Sequence, residues 1–288
     1  MDRRMELLIK ALSWVGVLIM AFILVFLLWE GLPVLKTVSL GELLTGKLWY
    51  PAEEPPVLGM AALIVGSLAV TLISTLVGLP FGLGMAIFLA EIAPRRMKEI
   101  LKPALELLGF LPSIVVGFLG MVLVAPWMQQ TFGLVSGLNM LNASILLGLL
   151  MVPVVGSLAQ DALEAVPQDL RDASMALGAT RWETICRVVL RAASSGLMSS
   201  ALLGIMRSFG ETMVVLMASG GAAVFPRSLT SPVRPLTSAI AAEMGETPVG
   251  SPHYRALFFA GLILVAGTLI LNGLAMAVER RSALGDRS

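Results

Sequence analysis

The sequence predicts an all-α integral membrane protein with six transmembrane helices, and two observations carry the prediction. Of 288 residues, 57% are hydrophobic and only 14% charged, too few charges to cover the surface of a soluble domain of this size. The charges are also grouped: no Asp, Glu, Lys or Arg occurs in 11–29, 55–90, 107–160 or 256–278. A helix needs about 20 apolar residues to cross roughly 30 Å of hydrocarbon, so each run can span.

In order along the chain, 11–29 is the first span. Arg3, Arg4 and Lys10 precede it as they would in a signal peptide, but the run is too long. Trp29, Glu30 and Pro33 follow where a small-residue cleavage site would stand, so the segment reads as a retained anchor. The run 55–90 is one long or kinked span. The run 107–160 is two, joined near Gln129–Asn139, where QQTFG, SGLN and LNAS supply turn chemistry. Pro112 falls early in the third span, where it frees a backbone carbonyl and can kink the helix. With Ser113, Gly117 and Gly120 it either lines a polar path or permits tight helix packing. Segments 194–219 and 256–278 complete the six.

Orientation follows from Lys and Arg alone. With the N-terminus inside, the cytoplasmic segments hold fourteen of them and the outer segments five, Lys36, Lys47, Arg227, Arg234 and Arg255. Both termini are therefore expected in the cytoplasm. The chain divides into an anchor helix with an outer loop (1–57), a transmembrane core (58–280) and a cytoplasmic tail (281–288).

Several chemistries are excluded by what the chain lacks. Cys186 is the only cysteine, so there is no internal disulfide and no thiolate metal cluster. His253, the only histidine, lies in an outer loop and is expected to be solvated. GELLTGKL at 41–48 almost spells a phosphate-cradling loop but puts Leu48 where a hydroxyl must reach Mg²⁺. GLPFGLGMAI at 78–87 lacks the third glycine of a dinucleotide turn. No catalytic triad, HExxH or dense acidic cluster is present. No cofactor is expected on this chain. The near-neutral net charge of +1 says nothing about nucleic acid, because the basic residues are topological signals, and no nucleic-acid partner is expected.

Between spans four and five the sequence reads EAVPQDLRDASMALGATRWETICRVVLRAASSG, residues 164–196. Pro167 suits a first turn, and Leu170, Ala173 and Leu177 share one apolar face. Gly178 ends that helix. Thr180 and Glu183 form a capping box that starts a second helix, with Ile185, Val188 and Val189 inward. The result is a helix–glycine turn–helix elbow. On pattern alone it is equally an amphipathic loop covering the floor of the bundle.

Arg207 and Glu211, in GIMRSFGETMVVL at 204–216, lie in the fifth span. A helix would put them four apart on one face, within salt-bridge reach. A mid-bilayer charge costs roughly 2.5–3.5 kcal/mol on insertion scales, so such residues face a partner or a cavity. One reading is a mutual ion pair that fixes helix packing. The other is that Arg207 meets an oxyanion, whose oxygens a guanidinium fork matches, with Glu211 orienting it.

The elbow resembles the signature loop of ABC importer permeases. Asp172-Ala173-Ser174 stands for the family's E-A-A run, Gly178 for its glycine and ETICRVVLR for the remainder. Asp172 replaces a glutamate, and Arg191 stands where proline is frequent. Further blocks are similar to the C-type membrane subunit of phosphate-specific permeases: 49–74, 78–94, LKPALELLGFLPSIVVGFLG at 101–120, MRSFGETMVVLMASG at 206–220 and RPLTSAIAAEMGE at 234–246.

The resemblance implies the type I (MetI-like) permease fold. It also implies a substrate path through Arg207, Glu211 and Ser113. The loop with Asp172, Ala173, Gly178, Ala179, Thr180 and Glu183 would seat on an ATPase subunit. The implied partners are an A-type permease, two ATPase subunits that bind the ATP and Mg²⁺, and an extracytoplasmic phosphate-binding protein. The implied activity is phosphate import across a bacterial cytoplasmic membrane. Permeases for sulfate, molybdate or phosphonate are the nearest alternative, and an ion-coupled secondary transporter a more distant one. PLTSAIAAEMGE fits a short amphipathic helix on the outer face, as a dock for the binding protein or a lid on the bundle.

Overall fold

A computed structural model describes residues 3–285; the last residues of the tail assigned to 281–288 lie outside them. Helix α1, Arg3–Gly31, leads through a 3-10 turn, Leu32–Lys36, to the loop before the second span. There Ser39 caps α2, Leu40–Thr45, by accepting the Glu42 main-chain N–H. Two short strands follow, β1 (Trp49–Tyr50) and β2 (Val57–Leu58), paired antiparallel with Trp49 opposite Leu58.

Helix α3, Ala61–Ile87, runs on through a π turn, Phe88–Ile92, with Pro80 inside it. It is the single long second span expected. The amphipathic helix α4, Arg95–Gly109, carries Arg95, Arg96, Lys98 and Lys102 and goes beyond what the sequence pattern predicts. The third span is α5 (Ser113–Leu119), a π turn (Gly120–Val124) and α6 (Ala125–Phe132). Pro112 does not kink it. Proline there is the extended residue just before α5, with ψ 128°, where its missing N–H costs no helical bond. The third span's irregularity is instead the π turn.

After the turn at Gly133, Asn139 caps α7, Met140–Glu164, by accepting the Asn142 N–H. The elbow follows as α8 (Gln168–Ala176), α9 (Arg181–Thr184), a π turn (Ile185–Val189) and α10 (Leu190–Ala192). Then come α11 (Ser194–Phe209), α12 (Met213–Ala218), α13 (Leu236–Glu243) and α14 (Pro252–Gly285). Among the described residues five helical segments are long and apolar enough to cross a bilayer, and there are six if the pair Arg181–Ala192 and Ser194–Phe209, bent by 72°, is counted as one span.

Helices α3, α7 and α11 pack backbone to backbone, because glycines remove the side chains that would separate them. A Cβ on Gly78 of α3 would lie 2.6 Å from the Gly148 carbonyl of α7. Val155 of α7 fills the space at both Gly82 of α3 and Gly204 of α11. Helix α5 meets α12 through Gly117, whose Cβ would lie 3.1 Å from the Met213 carbonyl, and Gly120 lies beside Ala218. These two segments therefore run side by side in the same direction.

Candidate functional site: a broken span

The fifth span is not continuous. Helix α11 ends at Phe209, and α12 begins at Met213. Gly210, at φ −89° and ψ −1°, is the poorest helix former available short of proline. Glu211 then acts on the far side of the break. Its Oε1 accepts the main-chain N–H groups of Thr212 and Met213, each at 3.1 Å, two of the donors that the start of a helix leaves unpaired.

The expected four-residue helical pair is therefore absent, and among the described residues no ion pair joins Arg207 to Glu211. Arg207, in the last turn of α11, is exposed on the surface of this chain, and its guanidinium has no hydrogen-bond or ionic partner among the described residues. Its place near a helix C-terminus favours the positive charge. Arg207, Ser208 and Glu211 share a small recess floored by Leu147, Leu150 and Met151 of α7. Ser208 is buried, and sequence reasoning misses it. Its position next to Arg207 is the only signal that could have found it.

Ser113 opens α5, one turn before Gly117. Since α5 and α12 run parallel, it lies toward the Glu211 end of α12, but among the described residues no hydrogen bond links it to either charged residue. The break is roofed by α13. Thr237 donates its hydroxyl to the Glu211 carbonyl at 2.8 Å, and the Leu236 N–H donates to Ser67 Oγ of α3 at 2.8 Å. The block PLTSAIAAEMGE thus forms the short helix expected, covering the break as a lid does, with Ala241 and Ala242 exposed. Leu236, Thr237, Ser238 and Ala239 are buried, so α13 is inserted into the bundle.

The C-terminal end of α13 closes on a polar hub. The Glu243 carboxylate accepts Trp49 Nε1 at 3.0 Å and lies 2.8 Å from His253 Nε2, and Arg234 Nη1 pairs with it as well. His253 is not solvated as expected. It is held at the start of α14, where the Glu243 carboxylate, brought back from the end of α13, meets it.

At the opposite end the elbow forms as its turn chemistry requires. Gly178 adopts φ +87°. Its N–H donates to Met175 O, and the Ala179 N–H donates to Ser174 O, the paired bonds of a glycine-terminated helix. Thr180 and Glu183 make the reciprocal capping box. The Thr180 N–H and then its hydroxyl hold the Glu183 carboxyl below its ordinary range. A hydrogen bond between the Ser174 and Thr184 hydroxyls, 2.9 Å, locks the two arms together. Ile185 and Val189 are buried, while Val188 is only half-buried. Asp172 is exposed and accepts from Gln168 at 3.1 Å.

The apolar face of α8 points the other way from the one an amphipathic floor requires. Leu170, Ala173 and Leu177 are all exposed, Leu177 at 90%, and no residue of α8 is buried. The reason is that Arg171 takes the inward side. It pairs with Glu91 at 2.7 Å and donates to Leu163 O at 2.9 Å, which turns the leucines outward.

Among the described residues no group of His, Cys, Asp and Glu is arranged to hold a metal ion. The family described as binding-protein-dependent transport system inner membrane component matches residues 78–283. A probable ABC transporter permease of Bacillus subtilis is 37% identical, covering 91% of this chain and 85% of its own length. The phosphate transport permease PstC of Mesorhizobium japonicum is 32% identical, covering 81% and 76%.

Among solved structures, the inward-facing methionine transporter MetNI aligns at TM-score 0.62 with 19% identity, over 80% of this chain and 99% of that one. A bacterial alginate ABC transporter, bound to its pentasaccharide-loaded periplasmic protein, aligns at 0.67 with 13% identity, over 97% and 96%. The spans, the elbow and these likenesses agree. This chain belongs to the binding-protein-dependent ABC importer permeases, multi-pass inner-membrane subunits of the MetI-like fold.

Proposed function

We propose that this chain is the C-type permease subunit of an ATP-driven importer of inorganic phosphate. One observation carries the reading: a charged guanidinium, Arg207, stands in a membrane-spanning segment at a helix break with no partner among the described residues of its own chain. Such a charge is costly until a counter-ion meets it, and a guanidinium fork suits a phosphate oxyanion. The phosphate permeases among the relatives support the choice of ion.

Arg207 binds the ion in passage. Glu211 shapes the break beside it and keeps binding weak enough for release, and Ser113 adds a hydroxyl at the same end of α5. A second, A-type permease completes the path. A phosphate-binding protein delivers the ion from outside, and two ATPase subunits bind ATP and Mg²⁺. The elbow, through Asp172, Ala173, Gly178, Ala179, Thr180 and Glu183, seats on one ATPase. Both termini are cytoplasmic.

The test is phosphate uptake at low external phosphate, comparing intact protein with Arg207→Gln at matched membrane levels. Uptake is expected to fall to background while the complex still assembles. Unchanged uptake would leave Arg207 a packing residue. No phosphate uptake by the intact complex would turn the search to sulfate, molybdate or phosphonate.

A further inference from the structure

We infer that Glu91 is a positioning residue that fastens the cytoplasmic elbow to α3, so that the two move as one unit when the elbow is displaced. The inference rests on the proposed role of the elbow as the contact with the ATPase.

The elbow is joined covalently to α7 at one end and to α11 at the other, but nothing covalent ties it to α3. Glu91 supplies that tie twice. Its carboxylate pairs with Arg171 of α8 at 2.7 Å, with side chains only 10% and 13% exposed. Its main-chain carbonyl accepts from Arg181, the first residue of α9.

Each contact has a local cause. The π turn ends at Ile92, so the carbonyls of Ala90 and Glu91 have no helical N–H to accept. Lys98 takes Ala90 O at 3.0 Å and Arg181 takes Glu91 O. Cations are favoured at such helix C-termini. Arg171 sits likewise at the end of α7, donating to Leu163 O, which also accepts the Val166 N–H, and to Val166 O just past the helix. One residue of the elbow thereby grips the ends of two spans, and among the described residues Glu91 is the only carboxylate that its guanidinium meets.

A pair this enclosed is poorly screened by water or salt. Removing one partner strands a charge at low exposure. The grip therefore resists being pulled apart while the opposite, leucine-bearing face of α8 is free to be pushed or pulled. Beyond Glu91, α3 is keyed to α7 and α11 by the contacts of Gly78 and Gly82 and by Val155 against Gly204. Arg207 lies three residues past Gly204 on α11. The elbow thus reaches the broken span by two routes, directly through the 72° bend before α11 and indirectly through Glu91 and α3. Losing the second route leaves α3 behind when the elbow moves.

The experiment uses the assembled complex with its ATPase subunits in lipid nanodiscs. Cys186→Ser removes the native thiol, and spin labels are placed at the exposed positions Arg95 and Asp169, one at the start of α4, three residues past the π turn that ends α3, and one on α8. The label-to-label distance is measured by pulsed electron resonance without nucleotide and with ATP trapped, a readout independent of which ion is carried.

In the otherwise intact protein the distance should agree between the two states within the width of its distribution. In Glu91→Gln it should shift or broaden on ATP binding. The ions transported per ATP hydrolysed should also fall about tenfold, with hydrolysis changed less than twofold. Glu91→Gln/Arg171→Gln, which leaves no unpaired charge, guards against misfolding and should behave like the single variant. A distance that changes between states in the intact protein overturns the inference, as does a double variant with normal distance and normal transport per ATP. Failure of the intact complex to carry phosphate would sink the phosphate reading alone, because the distance comparison stands without it.

Discussion

Glu211 separates two roles that a single alanine variant would confound. In the structure its Oε1 accepts two main-chain N–H groups, of Thr212 and Met213, at 3.1 Å each. Glu211→Ala leaves both without an acceptor. A stranded buried donor costs roughly 1–3 kcal/mol; Thr212 is half-buried and Met213 exposed, which puts the first near the lower end and the second below it, so the pair should cost about 1–2 kcal/mol. At about 2–4 °C per kcal/mol for a chain of this size, the thermal midpoint of the complex should drop by roughly 2–8 °C.

Glu211→Gln keeps an oxygen in place and loses only the charge assistance, so it should cost about half as much or less. The assay is thermal unfolding of the detergent-solubilised complex, run beside phosphate uptake. If the carboxylate also acts on the ion or on Arg207 during transport, Gln should lose uptake while keeping most of the stability. Equal destabilisation by Gln and Ala would refute the capping argument, because it would mean that the charge and not the oxygen holds the break together. Near-normal stability of Ala would refute it from the other side.

Two further predictions concern the backbone. Gly178 sits at φ +87° with open space within 4 Å of where a Cβ would stand, so Gly178→Ala meets no clash and costs only the left-handed conformation, roughly 1–2 kcal/mol. It should weaken retention of the ATPase subunit by about 5–30-fold, whereas Gly178→Asn, which tolerates that conformation, should stay near normal; equal behaviour of the two would remove the turn from the contact. Gly78 and Gly84 make the second comparison: Gly78→Leu must push α3 off the Gly148 carbonyl and should abolish assembly of a stable protein, while Gly84→Leu, with open space around it, should leave the thermal midpoint within about 2 °C of normal.

The spans are legible in the sequence because hydrocarbon forbids stray charge, and that rule acts on local composition. The gaps in Lys, Arg, Asp and Glu mark α1, α3, α5–α6, α7 and α14 without any knowledge of what packs where. The elbow is legible for a related reason. A glycine after a short amphipathic run, with a Thr-x-x-Glu close behind it, specifies a helix end and a helix start by local hydrogen bonds, and both form. The break in the fifth span is also written locally, in Gly210 followed by a carboxylate. It is easily missed, because a four-residue spacing of opposite charges reads as a helical pair whenever continuity of the helix is assumed.

Other features are out of reach in principle. Glu91 meets Arg171 across 80 positions and Trp49 meets Glu243 across 194, and no periodicity in the chain announces such partners. His253 looks solvated because its neighbours Pro252 and Ser251 are loop-forming residues. Its partner arrives only once α13 has turned Glu243 back toward α14. Helix α4 is hidden by its basic residues, which serve orientation and amphipathy at the same time.

Periodicity also says that a face will be covered without saying by what. The Leu170–Leu177 face of α8 is apolar enough to be expected inward, yet Arg171 and its hold on Glu91 turn it out. Arg207 poses the same question in the membrane: its sequence context demands a partner, and the nearest carboxylate satisfies main-chain donors instead. An exposed leucine face and an uncompensated guanidinium are each unfavourable for a chain on its own. They lie at the two ends of one packed unit, the elbow and α11, joined through the bend at Ala193 and through Glu91. On the proposed coupling, a force that covers the first would be delivered, through spans keyed together at glycines, to the second.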